Sequence, residues 1–291
     1  GAFGQFGLVL QGLLSDKFNL HLTTYKPPPY SQNPNISVGK LDVTDADNVK
    51  SVIDKFNPNI IINCAALTDV DYCESNHDVA RLVNVKGIEN IIRSISKEVK
   101  IIHISTDYVF DGQLESEYIE LDATHPINYY GKSKLEAENI LRGSCVDWVI
   151  LRSSMLYGAP LSTKQNFFSW VYDSLLKNQQ INVIDNIFSN PAWMNQLAEV
   201  VFKIILLNSK GIFHYGSSDS ISRFDFANKI ADVFDLNPQL IKPVNLDSLD
   251  FAARRPKNTT LSNDKITSTF GLRPYSVEHC LCKIKESSIM V

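Results

Sequence analysis

The chain has 291 residues, 44% hydrophobic and 21% charged, with a formal net charge of -4. That length suits one large α/β domain or a main domain with a smaller lobe, and the acidic balance without a basic run argues against a nucleic-acid scaffold. No apolar run reaches the 18 residues or so that a membrane span needs.

The chain begins with Gly1-Ala-Phe-Gly4-Gln-Phe-Gly7, then an apolar, helix-like run through Leu14. Glycines at this spacing let a backbone come close to a pyrophosphate, and the N-terminus of the following helix attracts its negative charge. Such a turn normally follows a central strand, so the sequence predicts a further strand of roughly 6–10 residues ahead of Gly1.

Residues 21–25 read as a strand, 46–56 as a helix and 59–65 as a buried strand. A helix is expected over 78–97, a strand over 99–105, a helix over 130–142 and a strand over 148–152. Alternating helices and continuously apolar strands predict a doubly wound, Rossmann-type parallel sheet covered on both faces. After residue 152 the rhythm loosens. Helices are expected near 165–178, 196–208, 223–234 and 276–287, with a strand at 211–215. The expected division is a dinucleotide-binding domain over 1–152, with 193–212 returning to it, and a smaller substrate lobe over 153–192 and 213–291.

At the end of the second strand, where a carboxylate would take a ribose 2′-hydroxyl about 20 residues past the glycines, stands Thr23-Thr-Tyr-Lys26. A cation without a carboxylate favours a 2′-phosphate and hence NADPH, with NADH as the alternative; Lys26 as a solvated loop residue is the competing reading. Asp42 and Val43 are candidates for the adenine edge. The five scattered cysteines suggest reduced thiols in a cytoplasmic protein, and Cys280-x-Cys282 lacks the companion ligands of a metal site.

The most informative pair is Tyr130 and Lys134, four residues apart and therefore on one helix face. A phenol titrates near ~10, and a nearby ammonium would favour the phenolate, making the tyrosine a usable general acid for carbonyl reduction. Ser105-Thr-Asp-Tyr-Val-Phe-Asp-Gly112 sits at a strand end, where open α/β sheets bind ligands. His103 lies inside that apolar strand and reads as a satisfied core residue.

These motifs together resemble the extended short-chain dehydrogenase/reductases. More narrowly, they resemble the dTDP-4-dehydrorhamnose reductase family and its relative, the regulatory beta subunit of methionine adenosyltransferase. Asn63-Cys64-Ala65-Ala66, Val83-Asn84-x-x-Gly87, Leu156-Tyr-Gly158 and Ala253-Arg-Arg-Pro256 carry the resemblance nearly end to end. It implies that Tyr130 protonates the carbonyl oxygen, that Lys134 holds the nicotinamide ribose and lowers the tyrosine's pKa, and that Thr106 hydrogen-bonds the reacting oxygen. It further implies Gly1, Gly4, Gln5 and Phe6 around the pyrophosphate, and Cys64, Ala65 and Ala66 beside the cofactor. Thr68, Asp107 and Tyr108 would line the sugar site.

Met155 stands where the reductases usually have a Trp near the sugar, or simply fills core space. Arg254 and Arg255 have two readings: a guanidinium fork for a nucleotide-sugar diphosphate, or an ion pair that fixes the lobe. The expected partner is a nucleotide-sugar, with neither nucleic acid nor membrane, in a homodimer. The alternatives are a non-catalytic NADP-binding subunit of a partner enzyme, and an epimerase with a permanently held nicotinamide.

Overall fold

The computed structural model describes residues 1–26, 33–159 and 165–289. The glycine turn leads into α1 (Gln5–Leu14), then β1 (Leu20–Thr24) and β2 (Ile36–Lys40), which pair in parallel with Leu22 opposite Val38. α2 (Ala46–Phe56) starts on Asp45, whose carboxylate accepts the Asn48 N–H, and stops on Asn57 in the left-handed region. Both signals are local, which is why the sequence places this helix correctly.

β3 (Ile60–Asn63) is followed by α3 (Val70–Ser75), α4 (His77–Arg81) and α5 (Gly87–Arg93). A single wide turn, Leu82–Lys86, joins the last two, so the expected continuous helix carries a π-bulge. The bulge contains Asn84, whose side chain accepts the Leu67 N–H and donates to the Leu67 carbonyl and the Ser133 hydroxyl. It ties a site loop to the helix that bears Tyr130.

β4 (Lys100–Thr106), α6 (Tyr129–Arg142) and β5 (Asp147–Ser153) complete the first half. Beyond them come β6 (Leu156–Tyr157), α7 (Phe167–Leu176), β7 (Ile181–Ile184), β8 (Phe188–Ser189), β9 (Ala192–Trp193) and α8 (Met194–Leu206). β10 (Gly211–Tyr215), β11 (Ile221–Ser222), α9 (Arg223–Val233), β12 (Ile241–Val244), α10 (Asp264–Phe270) and α11 (Val277–Ile289) end the chain. No helix among the described residues is long and apolar enough to cross a membrane.

The main sheet has the order β10-β5-β4-β3, all parallel. Its strands are buried on both faces. α1 and α8 cover one side through Leu10, Leu14, Leu197 and Val201; α2, α5 and α6 cover the other through Val49, Ile88, Ala137 and Leu141. Phe168, Val171, Phe226, Ile230 and Leu281 form a separate core in the lobe.

The expected boundary at 212 falls inside β10, which runs through Tyr215 in the main sheet. α10 also packs on the main core through Ile266 and Phe270. The last 80 residues or so are therefore shared between the two modules, because β10 needs a helix over its exposed face.

β1 and β2 form a sheet of their own. Between β1 and β3 lies a cavity of about 210 Å³, lined by Leu10 and Leu14 from one layer, Ile53 and Ile91 from the other, and Leu22 and Ile61 at its sides.

Candidate active site

The site is built where β4 meets the first turn of α6. β4 ends at Thr106, whose hydroxyl accepts the Tyr108 N–H at 3.2 Å and turns the chain into a short 3₁₀ segment, Asp107–Val109. α6 opens on Asn128, whose side chain accepts the Gly131 N–H at 2.9 Å and donates to the Arg254 carbonyl. A second orphan donor of that turn, the Tyr129 N–H, goes to the Glu74 carboxylate at 2.7 Å. A Cβ on Gly131 would collide with the Tyr108 carbonyl oxygen, so only glycine lets α6 lie this close to the exit of β4. That approach puts the Tyr130 ring edge-on to Tyr108, with centroids 6.1 Å apart, and its phenol in hydrogen-bond reach of Thr106.

Lys134 is 2% exposed. Its Nζ donates to the Ile104 carbonyl at 2.7 Å and lies 3.2 Å from His103 Nε2. Desolvation lowers its pKa to about 8, with Glu138 and Cys64 acting in the opposite direction. Desolvation also pushes the Tyr130 phenol well up, opposed by the hydrogen bond with Thr106. Here the structure departs from expectation. The lysine is turned toward β4, and the groups acting on the phenol are Thr106, Asp107, Cys73 and Tyr108. Helical spacing put the two residues on one face, but a free carbonyl and an imidazole claim the amine.

Asp107 is fully enclosed, accepting from the Thr259 hydroxyl at 2.5 Å and the Thr106 hydroxyl at 3.1 Å. Burial raises its pKa from 3.8 to about 6, against those hydrogen bonds. A carboxyl that binds its proton more tightly when folded stabilises the fold most below its unfolded pKa, and that contribution is lost as pH rises through about 6. At neutral pH the buried charge is therefore a standing cost. Asp107→Asn is expected to raise the melting temperature at about pH 7.5 and to give little gain at about pH 4. Equal gains at both pH values would contradict this.

On the glycine side, a Cβ on Gly1 would collide with the Cys64 carbonyl, which pins the turn against the end of β3. Gly4 is the N-cap of α1 and offers no side-chain acceptor, so the first-turn N–H groups stay available to an anion. The Gln5 carboxamide accepts from Asn166 at 3.0 Å, linking α1 to the lobe. The Phe6 ring is buried in the core cluster, so its side chain packs inward at the first turn of α1.

Lys26 is exposed just past β1, its ammonium over the Tyr25 ring. The Asp42 carboxylate accepts the Thr44 N–H and hydroxyl, which hold its pKa down. It thus serves the turn into α2. Val43 gives its carbonyl to Asn90 and its side chain to Gly87. Cys64, Ala65 and Ala66 are half-buried at the end of β3, with the Ala65 N–H donated to Asn63.

On the lobe side, the Tyr108 hydroxyl meets Arg223 at 3.4 Å. Arg255 forms an ion pair with Asp71 at 2.5 Å, donates to the Ala253 carbonyl and lies over Phe251. Of its two readings, the structure shows the ion pair, and the pair clamps the Thr68–Glu74 segment. Thr68 is exposed at the head of that segment. Met155 packs with Trp193 against the lobe core.

Asn128, Glu74, Glu138 and Arg152 were not legible as site residues. Asn128 carries the usual N-cap signature, and Arg152 is a charge inside an apolar strand; both signals point to a structural role.

The RmlD substrate binding domain profile matches residues 1–287. The chain is 33% identical to a dTDP-4-dehydrorhamnose reductase of Aggregatibacter actinomycetemcomitans, covering 98% of this chain and 96% of that protein. It is 31% identical to a probable low-salt glycan biosynthesis reductase of Haloferax volcanii, over 98% and 95%. A Bacillus anthracis dTDP-4-dehydrorhamnose reductase, solved in complex with NADP, superposes with a TM-score of 0.87 at 28% identity, covering 99% of this chain and 97% of that one. With a profile match over nearly the whole length and a Rossmann-type sheet carrying Thr106, Tyr130 and Lys134 at its carboxyl edge, the chain belongs to the RmlD substrate binding domain family.

Proposed function

We propose that the protein is an NADPH-dependent reductase of the C4 keto group of a nucleotide-activated 6-deoxy-4-keto-hexose, of the kind that yields dTDP-L-rhamnose. The observation that carries this reading is the constellation at the end of β4: buried Thr106 within hydrogen-bond reach of half-buried Tyr130, with buried Lys134 one helical turn on.

The residues fit a dinucleotide. The glycine turn lies against Cys64, and α1 presents uncapped N–H groups to a pyrophosphate. Lys26 stands past β1, where a 2′-phosphate is distinguished from a 2′-hydroxyl. Bound there, the dinucleotide supplies the hydride.

The protein's own residues supply the rest. Thr106 sits beside the carbonyl oxygen; its single hydroxyl proton, given to Asp107 in the free protein, turns to that oxygen when the keto-sugar binds. Tyr130 delivers the proton to that oxygen from its phenol. Lys134 would hold the nicotinamide ribose when the dinucleotide is bound. Asp107, Tyr108 and Arg223 border the sugar side.

Following NADPH absorbance with dTDP-6-deoxy-L-lyxo-4-hexulose tests the reading. Oxidation that depends on the keto-sugar supports it. NADPH binding without turnover would move the assignment to another keto-sugar, as the resemblance to a glycan biosynthesis reductase allows, or to a non-catalytic role.

A further inference from the structure

His103 and Asn63 take no part in the chemistry described above, yet both are buried and both lead to Lys134. The chain of contacts is continuous. The Ala65 N–H donates to Asn63 Oδ1 at 3.1 Å; Asn63 Nδ2 lies 3.2 Å from His103 Nδ1; His103 Nε2 lies 3.2 Å from Lys134 Nζ.

Counting protons along it fixes the imidazole's form. The Ala65 N–H orients the Asn63 carboxamide so that its NH₂ faces the ring, and an NH₂ can only donate. His103 Nδ1 must therefore accept. A neutral imidazole carries one proton, which then sits on Nε2 and points at Lys134 Nζ. The imidazole is not the imidazolium, since burial holds its pKa well down. An ammonium has no lone pair to receive the Nε2 proton; an amine does, while still donating to the Ile104 carbonyl.

His214, the other buried histidine of the sheet, shows the opposite arrangement. Its Nδ1 faces the Tyr118 carbonyl, so its Nε2 is free to accept from Arg152. The two histidines differ in what stands behind Nδ1, a donor for His103 and an acceptor for His214.

We propose that Asn63 and His103 are positioning residues that select the uncharged amine of Lys134 in the dinucleotide-free protein and hold it against β4. This rests on the reading of Lys134 as the residue that serves dinucleotide and tyrosine. The other titratable groups facing the amine are Glu138, one turn further along α6, and Cys64, at the end of β3. Both favour the ammonium, so the imidazole opposes them.

The test is to titrate Lys134 directly, by competitive acylation and peptide mass spectrometry, in the dinucleotide-free full chain. The wild-type midpoint is expected well below that of the exposed lysines. Asn63→Asp replaces the donor behind Nδ1 with an acceptor, moves the ring proton to Nδ1 and turns Nε2 into an acceptor for the ammonium. Its midpoint should rise by at least one pH unit, a tenfold change in acid constant. His103→Phe keeps ring volume and should raise the midpoint too. In the double variant Asn63→Asp/His103→Phe, most of the rise due to Asp should vanish, because no ring remains to carry it.

A wild-type midpoint equal to that of the exposed lysines would overturn the proposal, as would an unmoved midpoint in Asn63→Asp. So would a double variant that keeps the whole Asp effect, which would mark simple charge attraction. NADPH fluorescence in the same samples separates the two readings: loss of NADPH binding by the wild type rejects the reductase, whereas an unmoved Lys134 midpoint rejects only the proton arrangement.

Discussion

Tyr130→Phe is expected to cut turnover by about a thousandfold, within the 10²–10⁴ range of a positioned general acid, while leaving NADPH affinity within about threefold. The reasoning is geometric. The ring sits edge-on to Tyr108 and would keep that place as phenylalanine, since Gly131 and Asn128 fix the backbone around it. Only the hydroxyl is lost, and with it the proton donor bonded to Thr106. A proton from water must then reach the developing alkoxide in a site whose Thr106 and Asp107 are buried. Steady-state rates on the keto-sugar and NADPH fluorescence titration check both halves. A variant retaining a tenth of the wild-type rate would remove Tyr130 from its role.

Glu138→Leu is expected to be the most destabilising single change near the site, by about 3–5 kcal/mol. Glu138 and Arg152 are both buried and joined bidentately, at 2.6 Å and 3.0 Å. The Ser105 hydroxyl donates to the same carboxylate at 2.5 Å, and the Arg152 guanidinium lies over the Phe110 ring. Removing the carboxylate leaves a guanidinium uncompensated between β5 and α6, which is where the cost arises. The double variant Glu138→Leu/Arg152→Met removes both charges and is expected to recover more than half of the loss, as replacement of buried ion pairs by apolar residues commonly does. Denaturant unfolding of the two variants checks this. Equal stability in the single and double variants would show that the charge of Arg152 finds another partner.

Because Glu138 follows Lys134 by one turn, the pair also anchors α6 to the sheet. The activity loss in Glu138→Leu should therefore exceed its loss of folded protein, measured under conditions where the variant remains folded.

What the sequence determined by itself is what local chemistry dictates. α2 begins and ends on its own capping residues, Asp45 and Asn57. The continuous apolar runs of β4 and β5 required burial on both faces, hence a parallel sheet with helices above and below. The spacing of Tyr130 and Lys134, with Thr106 at a strand end, was enough to mark three residues that the fold brings to the end of β4.

Tertiary structure decided everything that depends on long side chains and distant partners. Lys134 could meet its tyrosine or the β4 backbone with the same helical spacing, and a carbonyl and an imidazole from residues 103 and 104 captured it. Arg255 could hold a diphosphate or a carboxylate, and Asp71, 184 positions away, took it. Phe6 lies inside a glycine turn by sequence and inside the core by packing. β10, which straddles the expected boundary at 212, and α10, in the part that reads as lobe, belong to the main domain because its sheet needed another strand and cover for that strand. A flexible charged chain several carbons long fixes its own reach but not its partner, and the partner comes from whichever unsatisfied group the fold brings within that reach.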